Sequence, residues 1–221
     1  MIKLFSQVVN FFKQKKIIRA IQEKNAVEVA RFLKTGISCS GIFGSSPLTV
    51  AILTQNIEIV KILLEHKAPV NQLAKNGSAP LETAVSIQCL PTVKLLLEFG
   101  ASVDIMGNNP KTSPLVALAT SRVYTSKAHN RENNLSILRL LLDAKINVNT
   151  QTEFADYPIL LAAQEHDIEL MQLLLEYGAN ITHVYNYSVY SPIVINFAIK
   201  YSKLNNIEVP LDILEAFEGT E

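Results

Sequence analysis

Pro47 and Pro80 stand 33 residues apart, each followed by Leu at the next position and Ala at the fourth, in Ser46-Pro47-Leu48-Thr49-Val50-Ala51 and Ala79-Pro80-Leu81-Glu82-Thr83-Ala84. The phase continues beyond these segments: Lys61 aligns with Lys94, Leu63-Leu64 with Leu96-Leu97, and Asn71 with Asp104. A fixed period of this size means one supersecondary unit copied along the chain. A single unit is too small to bury its own apolar face, so it must stack on its neighbours. The pattern argues against one closed core and makes a long surface the main thing the chain presents.

The Pro anchors fall at Pro47, Pro80, Pro114, Pro158 and Pro192, separated by 33, 34, 44 and 34 residues. The long gap is one period plus an insertion, with the register returning after Asn134. A unit without Pro precedes them, with Ala20 in the position of Ala51 and Gly36 in that of Gly100. Each unit carries start signals for two helices. Ser46, Ser113 and Ser191 precede Pro, so a hydroxyl cap is followed by a residue whose missing N–H is harmless at the first helical position. Nine positions after the anchor stand Asn56 and Asp167, with Asn25 and Asn134 in the equivalent places and Cys89 as the exception. Asn and Asp accept from the free N–H groups of a first turn, worth about 1 kcal/mol each. Apolar ladders follow, such as Ile59, Val60, Ile62, Leu63 and Leu64, with apolar residues on more than one face, as in helices held between neighbours. Gly36, Gly100 and Gly178 end three of these helices, and Lys67 and Lys145 stand in the same place elsewhere, where a left-handed backbone costs them some strain. Extended fingers and turns then follow, among them Ala68-Pro69-Val70-Asn71, Ala179-Asn180-Ile181-Thr182 and Asn76-Gly77.

The Ser/Thr-Pro-Leu-x-x-Ala start, the Val-Lys-Leu-Leu-Leu-Glu helix and the Gly-Ala-x-Val-Asn/Asp ending together resemble the ankyrin repeat, over roughly residues 17–200. The resemblance implies an all-α fold, a solenoid of about six helix-pair units with finger-like β-turn loops. Its parts would be an N-terminal helix over 1–16 and a single domain over 17–221. The units would lie near 17–44, 45–77, 78–111, 112–155 with the insertion near 120–133, and 156–189, with a C-terminal cap at 190–221. The chain departs from the family where His follows Pro-Leu, having Thr49, Glu82, Val116 and Leu160 there, and where Leu118 takes the small Ala position.

The resemblance further implies a non-catalytic scaffold, an adaptor or inhibitor, that grips another protein on a concave face lined by fingers and first helices. Phe43, Phe154, Tyr157, Tyr185, Tyr187 and Tyr190 are the finger aromatics, and aromatic side chains on a protruding scaffold are typical interface anchors. The competing reading has the last finger curl over the end of the stack, its tyrosines closing the core. Arg122, Lys127 and Arg131 give the insertion a basic character and form a candidate secondary contact. An inert loop is equally compatible with stability, since lengthening a connection from about 3 to 14 residues costs only about 1 to 1.5 kcal/mol.

Residues 1–16 read as an amphipathic helix. Ile2, Leu4, Phe5, Val8, Val9, Phe11 and Phe12 fill one half of the wheel, and Lys3, Gln7, Asn10, Lys13 and Gln14 the other, with Lys15 and Lys16 at the junction. Such a helix is expected either to cover the exposed face of the first unit or to lie on an anionic membrane surface. The second role would suit a membrane-associated effector of an intracellular bacterium, delivered into a host cell.

Chemistry is thinly represented. Twenty basic residues balance twenty acidic ones, without the cationic excess that general nucleic-acid binding uses, so no nucleic-acid partner is expected. Cys39 and Cys89 lie in different units and suggest reduced thiols in a cytoplasmic protein. His66, His129, His166 and His183 are scattered, without partners at ligand spacing, so no metal is expected. Gly41-Ile42-Phe43-Gly44 lacks the Lys of a phosphate loop and reads as a finger turn. The expectation is a monomer that binds another protein, with no enzyme activity and no cofactor.

Overall fold

The computed structural model describes residues 2–40, 46–105, 113–118, 131–151, 157–185 and 192–217. All regular structure among them is helical, and their contacts divide into two compact units. The first carries α1 (Ile2–Gln22), α2 (Ala26–Lys34), α3 (Pro47–Leu53), α4 (Ile57–Glu65), α5 (Pro80–Ser86), α6 (Leu90–Glu98), α7 (114–118) and α8 (Arg131–Asp143). The second carries α9 (Pro158–Gln164), α10 (Ile168–Glu176), α11 (Thr182–Tyr185), α12 (Pro192–Leu204) and α13 (Leu211–Phe217).

In the first unit the hairpins α1/α2, α3/α4 and α5/α6 stack in register. First helices touch first helices (α1 on α3, α3 on α5) and second helices touch second helices (α2 on α4, α4 on α6). Ile59, Val60, Leu63 and Leu64 of α4 are all buried, so this helix meets neighbours on more than one side. Each such side chain contributes about 1.5–3 kcal/mol of hydrophobic burial. In the second unit α9 pairs with α10, α11 leans on α9 and α12, and α12 pairs with α13.

The start signals act as their chemistry requires. Asn25, Asn56 and Asp167 accept from the N–H groups of Glu28, Ile59 and Leu170 at 3.0, 3.1 and 3.0 Å. Ser46 accepts from Thr49 at 3.5 Å, and Ser113 from Leu115 at 3.2 Å. At Cys89 the thiol instead meets the Thr92 hydroxyl, at 3.0 Å. Glu82, in the position where the family has His, is buried and accepts from the Ala79 N–H and the Ser78 hydroxyl. A carboxylate thereby satisfies a helix start whose cap residue, Ala79, has no acceptor of its own.

The turns explain the spacing of the motif. Asn25, Cys89 and Asp167 return their N–H groups to the carbonyls of Ala20, Ala84 and Ala162, at 2.9, 3.0 and 2.9 Å. The residue before each cap is left-handed: Lys24, Gln55, Gln88 and His166 have φ of 54°, 54°, 55° and 55°. These turns close as helix-ending αL motifs without glycine. At the finger end Gly36, Gly100 and Gly178 take φ of 78°, 82° and 89°, and Lys67 and Lys145 adopt 61° and 63° in the same role.

Helix α1 runs unbroken from Ile2 to Gln22, across the position where the repeats were expected to begin. Two expectations are corrected. Asn134 does not cap a helix. The helix starts at Arg131, inside the expected insertion, and Asn134 is buried within it with its Oδ1 unpartnered. The neighbouring Asn133 side chain donates to the Gln88 carbonyl at 2.8 Å. Finally, the segment after α10 does not stay extended. The Asn180 side chain accepts from both the N–H and the hydroxyl of Thr182, at 3.0 and 2.8 Å, and opens the short helix α11.

Candidate partner-binding face

The finger after α4 illustrates how these loops are held. Ala68 returns its N–H to the Leu63 carbonyl at 2.9 Å, ending the helix. Ala74 donates to Ser78 and Gly77 donates to Ala74, both at 2.9 Å, closing a tight turn with Lys75 and Asn76 exposed at its tip. Asn71 then reaches into the next finger. Its side-chain amide donates to the Gly100 carbonyl at 3.4 Å, and its oxygen accepts from the Ser102 N–H at 3.0 Å. In the second unit Asn149 repeats the device, donating to Gly178 at 3.0 Å and accepting from Asn180 at 2.9 Å. One side chain thus fixes the spacing of two successive fingers through both of its functional groups.

The expected contact residues divide. Tyr157 is half-buried and stacks on His183, ring centroids 3.6 Å apart and planes inclined by 9°. The pair ties the residue capping α9 to α11, and the partial burial of His183 pushes its pKa below the usual imidazole value. Tyr185 is not a surface contact. It is 6% exposed, and its hydroxyl pairs at 2.8 Å with that of Ser202, itself completely buried. Burial raises the Tyr185 pKa and the Ser202 hydrogen bond opposes that rise, so the phenol stays protonated at neutral pH. For Tyr185, closing the core is the reading that holds, because α11 turns its side chain toward α12. Phe43, Phe154, Tyr187 and Tyr190 lie outside the described residues, as do Arg122 and Lys127. Arg131 supplies the first residue of α8, and only its backbone is described.

Little here suggests reaction chemistry. Cys39 is buried, its thiol donates to the His66 carbonyl at 3.6 Å, and burial raises its pKa, all of which disfavour the reactive thiolate. Among the described residues no three His, Cys, Asp or Glu side chains gather as a metal ion would need.

Residues 17–107 match the family model of ankyrin repeats (3 copies). This stretch is built of ankyrin repeats. No curated protein matches it. The matched span covers α1 from Ile17 through α6 and the finger beyond, the same stretch in which the hairpins stack in register. Ankyrin repeats generally mediate protein–protein interaction, and ankyrin-repeat proteins are typically non-catalytic scaffolds.

Sequence reasoning missed the Asn71 and Asn149 clamps and the partner of Tyr157. The signal for the clamps was present, since Asn71 and Asn149 occupy the same phase of the repeat, four positions after Lys67 and Lys145. Nothing in the sequence links Tyr157 to His183, which lie 26 positions apart.

Proposed function

We propose that this protein is a non-catalytic adaptor or inhibitor that binds another protein along its finger-lined face. In the second unit Tyr157 would be a contact anchor, and in the first unit exposed finger tips such as Lys75 and Asn76 would offer polar contacts of their own. The observation that carries this reading is the paired Asn clamp. Asn71 and Asn149 spend their hydrogen-bonding groups on fixing the distance between fingers, which serves a surface that must present side chains in register. Such pre-organisation reduces the ordering cost of binding and lets a few anchors dominate the affinity. The Tyr157–His183 stack limits the freedom of the anchor in the same way while leaving it partly accessible.

The test is crosslinking capture from cells with the wild-type protein, a Tyr157→Ala variant and a Lys75→Glu/Asn76→Ala variant, each first checked for an unchanged helical melt. A protein captured by the wild type should be recovered at least fivefold less with Tyr157→Ala, equivalent to about 1 kcal/mol on the hot-spot scale. Identical capture by all three folded proteins would remove the finger face from consideration.

A further inference from the structure

Helix α1 changes sides along its length. In its C-terminal half Gln14, Ile17, Ala20 and Ile21 are buried, the helix packs on α2 and α3, and the Gln14 side chain donates to the Ser40 carbonyl. At about 100° per residue these four positions share one face. In the N-terminal half of the same unbroken helix, positions Leu4, Phe5, Val8 and Phe12 fall by register on the opposite side, with Val9 and Phe11 at its flanks. Phe12 marks that side directly, being 58% exposed. Further along, the same side carries Lys15, Lys16 and Arg19, all exposed, with Arg19 paired to Glu23 at 2.8 Å.

The charge is as lopsided as the hydropathy. The charged residues of α1 are Lys3, Lys13, Lys15, Lys16 and Arg19, with no Asp or Glu. Residues 1–34 hold eight basic and two acidic side chains, a local excess of six positive charges in a chain that is neutral overall.

We propose that this outward face of α1 docks on an anionic membrane surface, with the apolar N-terminal positions in the headgroup boundary and Lys15, Lys16 and Arg19 forming a basic collar beside them. The helix divides along its length: residues 14–21 pack on α2 and α3 within the first hairpin, and register sets the positions of Leu4, Phe5, Val8 and Phe12 on the side away from that contact. Covering alone would place both apolar sets on one side. An apolar stretch of about 11 residues spans only about 16 Å, too short to cross a bilayer but long enough to lie in its interface. No described helix is long and apolar enough to span a membrane. Anionic lipid supplies the complement that the collar requires. The proposal is independent of the finger face.

The experiment is co-sedimentation of the full chain with vesicles of phosphatidylcholine alone or with phosphatidylserine added, the lipid that makes a cytoplasmic leaflet anionic, run alongside sedimentation velocity without lipid. Binding should be at least tenfold stronger on the anionic vesicles, fall with added salt, and drop tenfold or more in Lys15→Glu/Lys16→Glu. Phe12→Glu should lower it severalfold without changing the helical melt, because Phe12 makes no part of the buried face. Equal sedimentation on both vesicle types overturns the proposal. So does full binding by a folded Phe12→Glu/Lys16→Glu protein. Self-association that Phe12→Glu abolishes, with no vesicle binding, would overturn it in favour of a second copy as the occupant.

Discussion

Replacing Asn149 by Ala removes one acceptor and one donor that hold two fingers together: the 2.9 Å bond from the Asn180 N–H and the 3.0 Å bond to the Gly178 carbonyl. At about 0.5–1.5 kcal/mol for each neutral hydrogen bond, the loss should be about 1–3 kcal/mol. The value stays within that range because Asn180 and Gly178 are exposed, so water can take over both groups and no buried group is orphaned. Asn149→Asp separates the two halves of the clamp. A carboxylate keeps the bond from Asn180, strengthened by charge, but it has no donor for Gly178 and places two oxygens against each other. Backbone hydrogen exchange at Asn180 reads the first of these bonds apart from global stability. The Asn180 amide should lose protection by roughly a factor of 2–13 in Asn149→Ala, the 0.5–1.5 kcal/mol of its one bond expressed as an equilibrium constant, and retain it in Asn149→Asp. Both variants should melt below the wild type. Unchanged exchange at Asn180 in Asn149→Ala would refute the clamp, whatever happens to the melting temperature.

Four further outcomes rest on single observations. Lys67→Gly relieves a left-handed residue at φ 61° and should raise stability by about 0.5–1 kcal/mol in urea titration, the steric relief exceeding the entropy glycine adds to the unfolded chain. Thr49→Val removes a buried hydroxyl that has no hydrogen-bond partner and should stabilise by about 1 kcal/mol in the same assay. Tyr185→Phe leaves the completely buried Ser202 hydroxyl without its 2.8 Å partner and should cost about 1–3 kcal/mol, detectable as an earlier thermal transition with little effect on capture of a partner by Tyr157. The depressed pKa of His183 means that the unfolded chain takes up this proton first as pH falls. Its contribution is therefore complete above the usual imidazole value near 6.5 and declines as pH drops toward the folded-state pKa. Melting temperatures between pH 7.5 and 5.5 should decline less steeply in His183→Gln.

What the sequence revealed was local and repeated. Asn25, Asn56 and Asp167 cap their helices because a cap depends only on the residue and the three that come after it. Gly36, Gly100 and Gly178 end theirs for an equally local reason. Asn134 carries the same residue type in the same phase, yet it lies inside the helix, beside an Asn133 that donates to the Gln88 carbonyl, 45 positions earlier in the chain. A partner at that distance leaves no trace in a local pattern. Gln55, Gln88 and His166 sit left-handed without any compositional sign, since the closing hydrogen bonds of the turn override their preference. Tyr185 was legible as a large aromatic side chain, but its inward direction depends on α11, which forms only because Asn180 accepts twice from Thr182.

The same division bears on where function lies. Positions that recur with the period, such as Leu63 and Leu96 or Ala84 and Ala162, are buried and are set by packing between neighbours. Selection for a stack makes them alike, so they carry no information about any particular partner. Residues free to encode a partner must be accessible and must break the period. Tyr157 and the outward side of α1 meet both conditions. Tyr157 replaces the Ser or Ala found before Pro47, Pro80 and Pro114 with an aromatic that stays half accessible on His183. The outward side of α1 carries an exposed Phe12 beside Lys15, Lys16 and Arg19. The two features make different demands on a ligand. A tyrosine stacked on a neutral imidazole offers a flat, weakly polar contact suited to a protein surface, whereas a row of lysines beside apolar positions calls for an extended anionic interface. A Tyr157→Ala protein that still sediments with anionic vesicles, and a Phe12→Glu protein that still captures its partner, would establish that the chain holds two separable binding surfaces. Loss of both activities in either variant would mean that the two exceptions to the repeat do not act independently.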